Sequence, residues 1–513
     1  MASAARAIDG RSLKSGLRHL LCMIALMWAP LVNGQPFFFP DTTSYVRAAD
    51  LAMYMASSGR ISTAWTARYA KGLHHPGKTP AATDHKSKLV GNDVSSGNIM
   101  AGRSPYIGAL LYLSYVTSNF WLFVFAQAAI AYALIRLVLR RFGLSDETTI
   151  VGVVLFLSAT TSLPYFNGLL LADALAGFGI LSYILLATDR GTLRRWEIIF
   201  LALVLLASVT AHMTHILMLL GMFAFLILLR LLRWTNVSRL ALWTGIGGVA
   251  LGFASLMVTS FMIERVFKKP PQLVPLMTAR FIEDGPGGDF IRAGCPGSDF
   301  AVCHRPVDRM TSAEFLWSKD RNGAGFLAAS PEDRARMSAE DTRFALAVWK
   351  AYPARQTGMI IYNSLLQMVD FSYEGLNKGC FAEADCWSSL PPNVRDQLRH
   401  SVGGRNLWPS RAMNLILYVV VGLSVVVIAA GLPALWRRTP ALAKDMTIWL
   451  ALAFVAMLIC DILGGAVSEP QYRYQGRIIW LVPFFAAIIA LLDRRASRLL
   501  RPASSHGAGT PIT

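Results

Sequence analysis

The sequence predicts an all-α polytopic membrane protein of about ten transmembrane helices, with a small, mostly helical extracytoplasmic domain. Three observations carry that expectation. Of 513 residues, 54% are hydrophobic and only 16% charged, where a soluble chain would hold about 25% charged residues. Several apolar runs approach the roughly 20 residues that cross a bilayer as helix. Arginines gather at alternate ends of those runs, as the positive-inside bias requires. The formal net charge of +18 therefore follows membrane topology. It excludes a nucleic-acid partner, because no basic stripe with interleaved aromatics is present.

The elements follow in order. Residues 1–18 form a cytoplasmic N-terminus with Arg6, Arg11, Lys14 and Arg18. Span one, about 19–35, lacks a small-x-small cleavage site and reads as an uncleaved signal anchor. An outward loop covers 36–104, and "SPYIGALLYLSYV" (104–116) is short enough to lie in the interface. Spans two to seven are placed at about 119–139, 148–164, 168–188, 196–211, 213–231 and 240–261, completing a block at 19–263. An extracytoplasmic domain covers 264–408. Spans eight to ten, about 412–435, 446–465 and 478–492, fall within 409–493, and 494–513 is a cytoplasmic tail. With the N-terminus inside, Arg140, Arg141, Arg194, Arg195, Arg230, Arg233, Arg437, Arg438, Arg494 and Arg495 all fall on the cytoplasmic side.

The long region 264–408 carries its own signals. Ser330 before Pro331 and Glu332 marks a helix start, and 355–371 reads as an amphipathic helix. Cys295, Cys303, Cys380 and Cys386 all lie here, and an even number in an oxidising compartment fits disulfides. Cys295–Cys303 and Cys380–Cys386 are the simplest of three connectivities. Cys22 and Cys460 lie in spans as packing residues.

Four places carry chemistry. Asp41 follows "QPFFFP" at the mouth of span one. One reading has Asp41-Thr42-Thr43 cap a helix that begins near Ser44. The other has a partly desolvated carboxylate whose raised pKa suits a general base. Asp173 lies inside span four near its outer end, and an ionisable group in a span is a functional candidate by default. His212 and His215, in "TAHMTH", share a helical face at the span five–six hairpin. They are read as metal ligands, as a polar or phosphate-binding pair, or as plain hairpin caps. "SEPQYRYQGRIIWLVPF" (468–484) sets Glu469, Tyr472, Arg473, Tyr474 and Arg477 at the outer start of span ten. Guanidiniums there run against the positive-inside bias, and an anion would explain them, since Arg forks onto phosphate oxygens. A headgroup anchor within an aromatic belt is the plainer alternative.

Together, "FPDTTSY", "LLLADALAG" and "YRYQGRIIWLVP" make the chain resemble the GT-C superfamily of membrane glycosyltransferases. The resemblance spans the whole layout through short motifs. It implies a bacterial inner-membrane, multi-pass enzyme that takes a sugar from a polyprenyl-phosphate carrier and acts outside the cytoplasm. By motif, Asp41 would be the catalytic base, with Asp173 as a second catalytic carboxylate. Arg473, and with it Tyr472, Tyr474 and Arg477, would contact the carrier phosphate, with His212 and His215 beside the substrate. This chain lacks an adjacent Asp-Glu pair after Asp41, and its large external region stands between spans seven and eight. Dependence on a divalent metal ion stays open. The runner-up is a transporter or flippase of a lipid-linked anion, and a third reading is a non-catalytic assembly partner.

Overall fold

The computed structural model describes residues 10–66, 100–307, 309–318, 323–377, 379–382 and 384–499. Residues 67–99 of the outward loop expected at 36–104, together with Arg6 and the tail from residue 500, lie outside these residues.

The protein is helical, apart from the parallel pair β1 (Met100–Ala101) and β2 (Gln272–Leu273). The first half contains α1 (Gly10–Ala25), α2 (Trp28–Asn33), α3 (Pro40–Ala56), α4 (Pro105–Ser118), α5 (Trp121–Arg141) and α6 (Glu147–Thr160). Then come α7 (Leu163–Gly168), α8 (Ala174–Ala187), α9 (Arg195–Ala211), α10 (Met213–Leu231) and α11 (Arg239–Phe267). The middle region contains α12 (Leu276–Glu283), α13 (Pro286–Arg292), α14 (Ser312–Trp317), α15 (Pro331–Ala351), α16 (Pro353–Val369), α17 (Ala384–Ser389) and α18 (Pro392–His400). The chain closes with α19 (Ser410–Arg438), α20 (Pro440–Ala466), α21 (Tyr472–Gly476) and α22 (Leu481–Leu499).

Among the described residues six helical segments have the length and apolarity to cross a bilayer: α5, α10, α11, α19, α20 and Tyr472–Ser497. This is a helical membrane protein. The remaining expected spans are shorter or broken. Span one divides into α1 and α2 at Leu26 and Met27. Spans three and four shrink to α6 and α8, with α7 and an irregular stretch, Leu169–Asp173, between them. That stretch is apolar enough to pass as helix by hydropathy. Its backbone groups instead pair across the chain: Phe37 N donates to Gly168 O at 2.9 Å, and Leu170 N donates to Phe37 O at 3.0 Å. Buried backbone outside a helix needs such partners.

At one end of the bundle Arg140 makes a bidentate pair with Glu197, both contacts at 2.6 Å. There too Arg141 and Arg190 converge on Asp445 at 3.0 and 2.6 Å, and Arg438 pairs with Asp493. From Arg195 at that end, α9 rises about 25 Å to the opposite end, where Asp41 and His212 lie.

Two apolar cores form. The larger joins the long helices to Phe371, Leu390, Val394 and Trp408. The smaller holds Ala279, Phe290, Phe300, Phe315, Phe326 and Phe344. The segment expected as one domain at 264–408 therefore divides, its last third packing with the helical bundle. Ser330 caps α15 by accepting from Asp333 N. Disulfides join Cys295 to Cys303 and Cys380 to Cys386, while Cys22 and Cys460 are free and buried.

Candidate functional site

Three backbone ties bring the site together. Thr42 Oγ1 donates to Leu170 O at 3.0 Å, fixing the start of α3 against the approach to Asp173. Ser162 Oγ donates to Gly476 O at 2.6 Å, docking α21 on α7. Ser104 Oγ donates to Thr210 O at 2.7 Å, drawing Arg103 to the α9–α10 turn. A reciprocal pair between the Gln367 amide and the Gln471 backbone, at 2.8 and 3.1 Å, holds the segment that leads into α21.

The outcome is a chain of charges. Asp41 pairs with Arg103 through one oxygen and lies 3.4 Å from Arg473 Nη2 through the other. Arg473 Nη1 is 3.5 Å from Asp173 Oδ2, and Arg477 Nη1 donates to Asp173 Oδ1 at 2.9 Å. The Arg473 guanidinium lies 4.4 Å over the Phe39 ring and 5.1 Å from the Tyr474 ring, within cation–π range. Arg477 also reaches the Tyr474 ring, at 5.4 Å. Tyr472 hydrogen-bonds the Tyr165 hydroxyl. Three guanidiniums against two carboxylates leave one surplus positive charge. Nε of Arg473 and of Arg477 are buried and find no hydrogen-bond partner among the described residues.

The structure corrects several expectations about these residues. Helix α3 begins at Pro40, so Asp41 stands in its first turn and does not cap a helix starting near Ser44. Thr42 answers the Phe39 N–H instead, at 3.1 Å. The Asp41 carboxyl is also not raised. Burial pushes it up, but Arg103 and Arg473 outweigh that and hold it below the ordinary value of 3.8. Asp173 is not within a continuous span four but at the N-cap of α8, 3% exposed. Arg473 and Arg477 do not share one long helix face. Helix α21 ends at Gly476, and the two arginines converge because Arg477 sits at its C-cap. Glu469 faces Glu283 and Arg280 of the smaller core, not these arginines.

His212 sits in the turn between α9 and α10, where Thr214 N donates to its Nδ1 at 3.2 Å. Burial, then Arg477, Arg473 and Arg103, push it down to about 3. His215 is buried, with Nδ1 2.9 Å from Ser208 O; the two rings stand 5.6 Å apart.

A divalent cation does not fit this arrangement. Both carboxylates already face guanidiniums and the local charge is positive. No group of three His, Cys, Asp or Glu among the described residues is placed to hold a metal ion.

Sequence reasoning missed two charged residues. Arg103 carries a weak signal, a lone arginine just before "SPYIG". Asp461 carries a stronger one, an acid inside the apolar run 446–465; it is fully buried, and neither oxygen has a hydrogen-bond partner among the described residues. No family model, curated protein or solved structure matches the chain.

Proposed function

We propose that the protein is a membrane glycosyltransferase of GT-C type. It moves a sugar from a polyprenyl-phosphate donor to an acceptor hydroxyl at the extracytoplasmic surface of a bacterial inner membrane, through a ten-span topology with both termini cytoplasmic. One observation carries the reading: Asp41 and Arg473, 432 residues apart in sequence, meet at 3.4 Å. A carboxylate suited to take a proton and a guanidinium suited to take a phosphate thus share one end of the bundle.

The donor phosphate enters where the surplus charge lies and takes up the spare Nε–H donors of Arg473 and Arg477. As the bond from the anomeric carbon to the phosphate oxygen breaks, that oxygen keeps the electron pair. Arginines aimed at it stabilise charge that grows only in the transition state. The acceptor oxygen forms the new bond from the opposite face of the sugar, which inverts the anomeric centre. Its proton passes to Asp41.

The two arginines that depress Asp41 also gate it. In the free protein the carboxylate is a poor base because Arg103 and Arg473 bind it. A donor phosphate competes for Arg473, weakens that hold and raises the basicity of Asp41 when an acceptor is needed. Asp173 keeps Arg477 in place throughout.

The test uses cells lacking the gene, complemented with wild type or Asp41→Asn. The expected result is donor lipid accumulating beside a missing envelope sugar, with turnover down about 10²–10⁴-fold and donor binding by the purified variant retained. Flux of the lipid-linked anion that survives Asp41→Asn, with no change in glycan, would instead favour the transporter or flippase. Indifference of both readouts would favour an assembly role.

A further inference from the structure

A cleft of about 400 Å³ opens beside the segment that leads to Asp41. Its size lies within the about 300–1,000 Å³ of small-molecule sites. Gln35, Asn119, Trp121, Gln397, His400 and Ser401 line it, and its wall contains no Lys, Arg, Asp or Glu.

The wall is built, not incidental. Asn33 anchors its base: its Oδ1 accepts from Gly403 N at 2.9 Å and Trp408 Nε1 at 3.1 Å, and its Nδ2 donates to Gln35 O at 2.8 Å. Those bonds hold Gln35 at the end of α2 while its own side chain stays free. Gln35 is only 5% exposed, yet its amide makes no hydrogen bond among the described residues. Neither polar atom of that amide is sealed from solvent, so the group faces the cleft it lines and can bond a ligand there. Asn119 Nδ2 donates to Gln397 Oε1 at 2.9 Å, which orients that amide and leaves Gln397 Nε2 available. Trp121 adds an indole face.

Amides that donate and accept, beside an indole and an imidazole and with no Lys, Arg, Asp or Glu, match a ligand with many hydroxyls and apolar C–H faces. We infer that this cleft binds a neutral oligosaccharide, held by Gln35 and Gln397 and stacked on Trp121, as the acceptor subsite. The subsite role rests on the transferase reading; the binding of a neutral glycan does not. Gln35 and Asp41 stand six positions apart, at most about 20 Å of chain, a distance on the scale of an extended glycan.

The experiment uses the full chain in nanodiscs and saturation-transfer NMR with maltotriose, mannotriose, chitotriose and acidic trigalacturonate. At least one neutral trisaccharide should bind at millimolar concentration. Trp121→Ala and Gln35→Ala should each weaken it about tenfold. Gln397→Ala, at an exposed position, gives a second reading should either buried change impair folding. No neutral binding, binding indifferent to these substitutions, or preference for trigalacturonate would overturn the inference. Trisaccharide binding beside full transfer by Asp41→Asn would sink the transferase reading and leave the cleft standing. Lost transfer in that variant with no trisaccharide bound by wild type would do the reverse.

Discussion

Asp173 and Arg477 form a nearly dry ion pair at 2.9 Å, their side chains 5% and 2% exposed. Removing one member of such a pair strands the other. Asp173→Ala is expected to destabilise the protein by about 3–5 kcal/mol, read as a lower Tm in nanodiscs. Replacing both, Asp173→Leu with Arg477→Met, should recover much of that stability but not donor binding. A single variant that melts like wild type would show the pair to be dispensable.

The Asp41 carboxyl gives an acid signature. Its folded pKa lies below its unfolded value near 3.8 because Arg103 and Arg473 outweigh burial. The stabilisation is therefore fully present above about pH 4 and is lost as pH falls through the depressed value. Melting followed from neutral pH downward should fall less steeply for Asp41→Asn than for wild type in that acid window. Arg103→Ala removes one of the two counter-charges and brings the folded value closer to the unfolded one, so its acid loss should be smaller than that of wild type. Superimposable curves for all three proteins would refute the depressed carboxyl.

In the smaller core Asp284 gathers three partners. Arg280 donates through Nε at 2.9 Å and Nη2 at 2.6 Å, Asn363 at 2.9 Å and Gln356 at 2.8 Å. The last two come from α16, so the carboxylate joins α12 to that helix. Asp284→Ala should cost about 3–5 kcal/mol and speed amide exchange in both α12 and α16. Exchange that quickens in α12 alone would show that α16 is held by other contacts.

The Cys295–Cys303 bridge closes a loop of eight residues' separation. Its removal in a double serine variant should lower local stability by about 2.5 kcal/mol on loop entropy, read by exchange over residues 279–304. Non-reducing peptide maps should return Cys295 with Cys303 and Cys380 with Cys386, with Cys22 and Cys460 free. A crossed pairing would contradict the fold around both loops.

Much of this was legible residue by residue. Ser330 announced α15 because a serine two residues before an acid satisfies orphan N–H groups wherever it occurs. Long apolar runs such as 410–438 announced themselves for the same local reason. The break at Leu169–Asp173 was not legible, because its cause is remote: the Phe37 backbone supplies the hydrogen bonds that a helix would otherwise provide. Arg103 was hidden likewise, its meaning depending on a hydroxyl at Ser104 reaching a carbonyl at Thr210. The depressed carboxyl of Asp41 follows from Arg103, so an expectation built on burial alone had the wrong sign.

Helix α16 has two unlike sides. Gln367 and Ser364 lie so close to Gly464 and Gly465 of α20 that a methyl on either glycine would strike them. The opposite side shows Ile361, Tyr362, Leu365 and Val369, each more than half exposed. The smaller core is thus not a bead on a tether but a cap riveted to the bundle through the polar side of α16. Any opening that admits a long isoprenoid must part some other seam, because swinging this cap aside would first tear α16 from its glycine bed.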